Sequence, residues 1–160
     1  NYIVLTKAVF LEWSKFLESI NTLPRLIAKV QSEEVRRRSL NAYRSIFRKK
    51  IPLRDCFYCG KTLNERQTHV DHFIPWSYIF EDQAWNLVLA CQDCNLKKSD
   101  SLAGPSFRNE LINRNRDYQK KIPELAKSLL RLDAENNWEP EIIHHYHNCK
   151  EYGFVVRNLP

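Results

Sequence analysis

The chain has 160 residues, with 25 Lys and Arg against 19 Asp and Glu, for a formal charge of +6 and a pI near 9.1. At 43% hydrophobic and 12% aromatic, with only 3 Gly and 7 Pro, it has the makings of one packed domain, alone or with a helical annex, which argues against a disordered or fibrous polymer. Lys7, Glu12 and Lys15 interrupt the most apolar segment, so a membrane span is excluded, and a secretory leader is not expected. These features predict a cytoplasmic protein. Because the chain starts at Asn1 and contains no Met, it is expected to be part of a longer product, in which a missing N-terminal region or a partner protein sets the target.

In chain order, Ile3, Leu5, Val9, Phe10, Trp13, Phe16, Leu17 and Ile20 recur at three- and four-residue steps, predicting an amphipathic helix over 3–20. Thr22 and Pro24 suit a cap and a first turn. A second helix is predicted from Arg25 to about Lys49, with Leu26, Val30, Tyr43 and Phe47 among its apolar residues. Between residues 25 and 54 there are ten basic residues and two acidic ones, so the positive charge is local and the remaining chain is slightly acidic.

The five cysteines fall as Cys56, Cys59, Cys91, Cys94 and Cys149. Two Cys-x-x-Cys pairs and one left over, in a chain without a secretory leader, read as a four-thiolate zinc site rather than a disulfide framework. Gly60 follows the second thiolate, where a tight knuckle benefits from a residue that tolerates positive φ. Extended segments are predicted at Thr68 to Phe73 and Asn86 to Ala90, and Asn95-Leu96-Lys97-Lys98 opens a helix. Three further helices are predicted at Pro105 to Lys121, Pro123 to Leu132 and Pro140 to Tyr152, each starting with a Pro.

Between the Cys pairs lie His69-Val70-Asp71-His72-Phe73-Ile74-Pro75 and Asn86-Leu87-Val88-Leu89-Ala90, the latter running into Cys91-Gln92-Asp93-Cys94-Asn95. With these elements in this order, the segment from Cys56 to about Asp100 resembles the HNH endonuclease family in its zinc-knuckle form. The resemblance implies an α+β fold: a ββα-metal finger, with the knuckle closed by Cys56, Cys59, Cys91 and Cys94 and helical segments on both flanks. The expected organisation is a basic helical region at 1–53, the finger at 54–102 and a C-terminal helical region at 103–160.

The resemblance further implies a role for each motif residue. Asp71 is a ligand of a catalytic cation, and His72 is the general base. Asn86 holds the finger's loop and the His72 ring. Asn95 stands where many members have His and is the second protein ligand. The implied reaction is metal-dependent hydrolysis of DNA, leaving 5′ phosphates.

Phosphodiester hydrolysis needs an attacking water, charge relief on phosphate and help for the leaving oxygen. An imidazole, mostly neutral at cellular pH, can take the water's proton, and a hard cation can stabilise the oxygens. One carboxylate and one amide suit Mg²⁺ or Mn²⁺, whereas Zn²⁺ is expected only at the four Cys. Since consecutive strand residues face opposite ways, Asp71 and His72 lie either on two faces or in one pocket formed by a break in the strand. Lys97 and Lys98 at the start of the helix, with Arg36, Arg37, Arg38, Lys49 and Lys50 upstream, are expected along a DNA backbone, double-stranded in the simplest case.

Two other classes stay open on the residues alone: a non-catalytic zinc-containing nucleic-acid-binding module, and a zinc domain for protein interaction. His69, and the cluster His144, His145 and His147 beside Cys149, read as solvated side chains rather than a second metal site. The four Trp read as packing residues.

Overall fold

The computed structural model describes residues 2–20, 39–51, 55–64 and 67–160. Arg36, Arg37 and Arg38 lie outside these residues, as does most of the second predicted helix.

The first predicted helix is present as α1 (Tyr2–Ile20), but Val4, Leu5, Val9, Phe10, Trp13 and Phe16 on it are exposed. The described end of the second is α2 (Asn41–Lys50), which turns Phe47 fully inward and leaves Lys49 and Lys50 exposed. Arg44 on the same helix donates to the Thr68 carbonyl at 3.5 Å.

Strand β1 (Thr68–His72) pairs antiparallel with β2 (Leu87–Cys91), Thr68 opposite Cys91 and His72 opposite Leu87. All five residues of β2 are buried, as its run of apolar side chains requires of a strand covered on both faces. The connection holds a one-turn helix α3 (Trp76–Ile79), ended by Phe80 at φ +59°, and a 3₁₀ turn over Ala84–Asn86. Helix α4 (Gln92–Lys98) follows β2 without a loop, and the Cys91 thiol caps it by accepting from the Cys94 N–H at 3.4 Å. The sequence-predicted ββα order is therefore present.

Beyond it, β3 (Leu102–Ala103) leads into α5 (Pro105–Tyr118), α6 (Pro123–Leu132) and α7 (Trp138–Glu151). Pro105 and Pro123 stand in the first turns of α5 and α6, where a missing N–H costs nothing. Helix α7 begins two residues before Pro140, because Pro is tolerated anywhere in the first turn. The chain then returns as β4 (Val156–Arg157), parallel to β3.

One apolar core joins these elements. Phe73 stacks on Tyr146 of α7 at 6.1 Å, and Phe107 of α5 packs against Phe57 and Tyr58 of the knuckle at 6.1 and 5.4 Å. The 3₁₀ turn is held by the C-terminal helices: Trp85 N–H donates to Ser128 Oγ at 3.0 Å, and its carbonyl accepts from Arg114 and Asn115 at 3.1 Å each. Among the described residues, no helix is long and apolar enough to cross a membrane.

Candidate active site and metal centre

The knuckle is a tight turn. Cys56 N–H donates to the Lys61 carbonyl at 2.8 Å, Gly60 N–H to the Cys56 carbonyl at 2.9 Å, and Gly60 takes φ +68°. A third bond, from Phe57 N–H to the Leu89 carbonyl at 2.9 Å, fastens the turn to β2. Cys91 and Cys94 arrive from the end of β2 and the first turn of α4. The result is four sulfurs within 4.8 Å of one another, with Cys59 and Cys91 Sγ 3.8 Å apart. A tetrahedron of Zn–S bonds of about 2.3 Å has sulfurs about 3.8 Å apart, so this donor set fits zinc. Among the described residues no other such cluster of His, Cys, Asp and Glu occurs.

Of the expected catalytic residues, Asp71, His72 and Asn95 line a cleft of about 350 Å³ together with Asp82, Ser99 and Asp100, whereas Asn86 lies buried behind it. Asp71 and His72 share this cleft although they are consecutive. His72 is the last residue of β1, and the next N–H, of Phe73, already bonds the Asn86 carbonyl at 2.8 Å, so the chain is leaving the strand there.

Asp71 Oδ2 accepts the Tyr58 hydroxyl at 2.5 Å and lies 3.1 Å from Lys98 Nζ. Both contacts fall on Oδ2. Burial, then the Asp71 carboxylate, pushes the Tyr58 phenol well above its ordinary value, so it stays a donor. Asn95 faces the same cleft from α4. An all-oxygen set of carboxylate and amide fits a hard cation such as Mg²⁺ or Mn²⁺.

Asn86 is fully buried and clamps the loop with both ends of its amide: its Nδ2 donates to the Ile74 carbonyl and its Oδ1 accepts the Ile74 N–H, each at 2.8 Å. That clamp sets the exit of the chain from His72. Nε2 of His72 lies 2.9 Å from Asp82 Oδ1. Burial pushes the imidazole below its ordinary value, and the Asp82 carboxylate opposes that shift.

Lys98 departs from expectation. It is fully buried, and its ammonium donates to the His72 carbonyl at 2.7 Å while pairing with Asp71. It cannot reach a DNA phosphate from there, whereas its neighbour Lys97 is exposed. The helical period carries the signal for this. Lys98 lies four residues after Cys94, which must face the metal, so both occupy the inward face of α4.

Asp82, Asp100 and Tyr58 join the site although no motif marks them in the sequence. Asp100 Oδ2 accepts from Ser77 Oγ at 2.6 Å, which ties α3 to the end of α4. His69 is half-buried on β1, opposite Ala90. His144, His145 and His147 do not gather around a metal. His145 stacks on Trp85 at 6.0 Å and burial pushes its imidazole down to about 4, while His147 meets Arg108 at 3.1 Å. Cys149 is fully buried. Trp85 and Trp138 are core residues as expected, but Trp13 is exposed and Trp76 is half-buried at the cleft, stacked on Phe80 at 4.8 Å.

The family model described as HNH endonuclease matches residues 56–103. Among solved structures, the chain is similar to the Type II-C Cas9 enzyme from Actinomyces naeslundii, at 17% identity and a TM-score of 0.39. That alignment covers 99% of this chain and 19% of the Cas9 chain. No curated protein matches.

Proposed function

With residues 56–103 matching the HNH endonuclease family model, we propose that the protein is a metal-dependent endonuclease that hydrolyses DNA phosphodiester bonds, with His72 as general base. The observation that carries this reading is the convergence of Asp71, His72 and Asn95 on one cleft, beside a four-thiolate knuckle. Asp71 and Asn95 would hold one Mg²⁺ or Mn²⁺. When bound, that cation supplies charge relief at the phosphate and leaving oxygens.

The chain's own residues do the rest. His72, kept neutral by burial at cellular pH, takes the proton of the attacking water. Asn86 holds the loop that follows His72, and Lys98 holds the His72 main chain, so the base does not drift relative to Asp71. The zinc would be structural. A finger of roughly forty residues gains folding energy from a closed site that its own core does not supply. Exposed Lys97, Lys49 and Lys50, together with Arg36, Arg37 and Arg38, are the proposed phosphate contacts, each making binding more sensitive to salt.

Plasmid incubated with the purified chain and Mg²⁺ or Mn²⁺ is expected to be nicked or cut. EDTA should abolish the activity, and His72→Ala should lower it by at least about a hundredfold. Cleavage unchanged in His72→Ala would remove the base assignment. Salt-sensitive DNA binding without cleavage in any metal would leave the non-catalytic module.

A further inference from the structure

Asp82 touches the imidazole that the proposed chemistry uses. Its Oδ1 lies 2.9 Å from His72 Nε2, with the His and Asp side chains only 12% and 19% exposed. The loop that brings it there is tied on both sides of Asp82. On the near side, Phe80 takes the left-handed conformation and its N–H closes on the Trp76 carbonyl at 2.7 Å. On the far side, Asn86 N–H bonds the Gln83 carbonyl at 2.9 Å. At Asp82 itself, Tyr43 of α2 donates its hydroxyl to the carbonyl at 3.0 Å. The carboxylate is thus delivered to His72 by a fixed segment, and Lys98 pins the main chain of the same histidine at 2.7 Å.

An ionised carboxylate only accepts hydrogen bonds, so the nitrogen facing it must carry the proton. In neutral His72 that leaves the lone pair on Nδ1. A base in acid–base catalysis works only in the right tautomer and orientation, and an orienting carboxylate supplies both.

We infer that Asp82 is a positioning residue for the proposed hydrolysis: it holds His72 as the Nε2–H tautomer and presents Nδ1 to the attacking water. This rests on the reading of His72 as general base. The proton balance is simple. Water gives one proton to Nδ1 as its oxygen bonds phosphorus. The bond from phosphorus to the 3′ oxygen breaks, and that oxygen leaves and takes up a proton from solvent. The imidazolium is held against Asp82 until it releases its own proton to solvent.

The test compares wild type, Asp82→Ala, His72→Ala and the double variant on plasmid, each zinc-loaded and with Mg²⁺ varied. Asp82→Ala is expected to lower kcat by about ten- to a hundredfold, with KM for DNA and the half-saturating Mg²⁺ concentration unchanged. In the His72→Ala background the same substitution should change the residual rate by less than about twofold, because a residue acting through another has nothing left to act on. Nitrogen-15 spectra of the Mg²⁺-free protein at pH 8 should place the His72 proton on Nε2 in wild type and give mixed tautomers in Asp82→Ala.

A raised Mg²⁺ requirement would make Asp82 a metal ligand and overturn the inference, as would a full additional loss in the double variant or a wild-type His72 protonated on Nδ1. Wild-type cleavage by Asp82→Ala while His72→Ala is dead would overturn this inference alone. Wild-type cleavage by His72→Ala would overturn the base reading and the role of Asp82 with it.

Discussion

Replacing Lys98 by Met removes a fully buried ammonium while keeping most of the volume of the side chain. In the native fold this ammonium has two partners, the His72 carbonyl at 2.7 Å and Asp71 Oδ2 at 3.1 Å. Asp71 is 7% exposed and would keep only Tyr58, at 2.5 Å, as a donor. Removing one member of a buried ion pair costs about 3–5 kcal/mol. The surviving Tyr58 bond places this case near the lower end, at about 3 kcal/mol. Against a total stability of about 5–15 kcal/mol, and at roughly 2–4 °C per kcal/mol for a chain of this size, the melting temperature should fall by about 6–12 °C. Urea unfolding followed by circular dichroism at equimolar zinc measures it directly. Asp71→Asn added to Lys98→Met should restore more than half the loss, since it removes the stranded charge. Lys97→Ala, on the exposed side of the same helix, should stay within about 0.5 kcal/mol of wild type. A Lys98→Met loss below about 1 kcal/mol would refute the buried pair.

Acid stability should depend on His145. Its folded value of about 4, set by burial first and then by His144, lies below the unfolded value of about 6.5. The unfolded chain therefore takes up the proton first, so stability is intact above about pH 6.5 and is lost as pH falls toward 4, by roughly 2–3 kcal/mol. Urea midpoints at pH 7 and 4.5 should converge in His145→Gln, and an unchanged slope would remove His145 as the cause. Elemental analysis should find one zinc per chain. Stripping it with a strong chelator should abolish amide protection across β2, and a metal-free chain that kept protection at Leu87 to Cys91 would contradict a structural zinc.

Some of this architecture is written locally and can be read directly. Cys56, Cys59, Cys91 and Cys94 declare a metal because thiolate spacing on a turn is a property of consecutive residues. Pro105 and Pro123 mark helix starts for a similar reason, since a ring that fixes φ acts on its own turn. The two-residue strands β3 and β4 are too short to carry a pattern. Asp82 meets His72 from ten positions further along the chain, past the single turn of α3, so only the folded path of that connection brings them together. The charge of Lys98 points to solvent, but its position four residues after Cys94 turns it to the inward face of α4. On α1 the apolar spacing does mark a helix, but Val9, Phe10, Trp13 and Phe16 remain exposed. Periodicity tells which face is apolar and is silent on what covers it.

The anchoring of the Trp85 turn by Arg114, Asn115 and Ser128 bears on when the site becomes competent during synthesis. Asn86, next to Trp85, cannot settle until the helices that supply these anchors have emerged, about forty residues later. At a translation rate of roughly 5–20 residues per second, that is a delay of a few seconds. A nascent chain with its Cys pairs already made would therefore carry Asp71 and His72 before it could hold them in register, and the proposed activity would await α5 and α6.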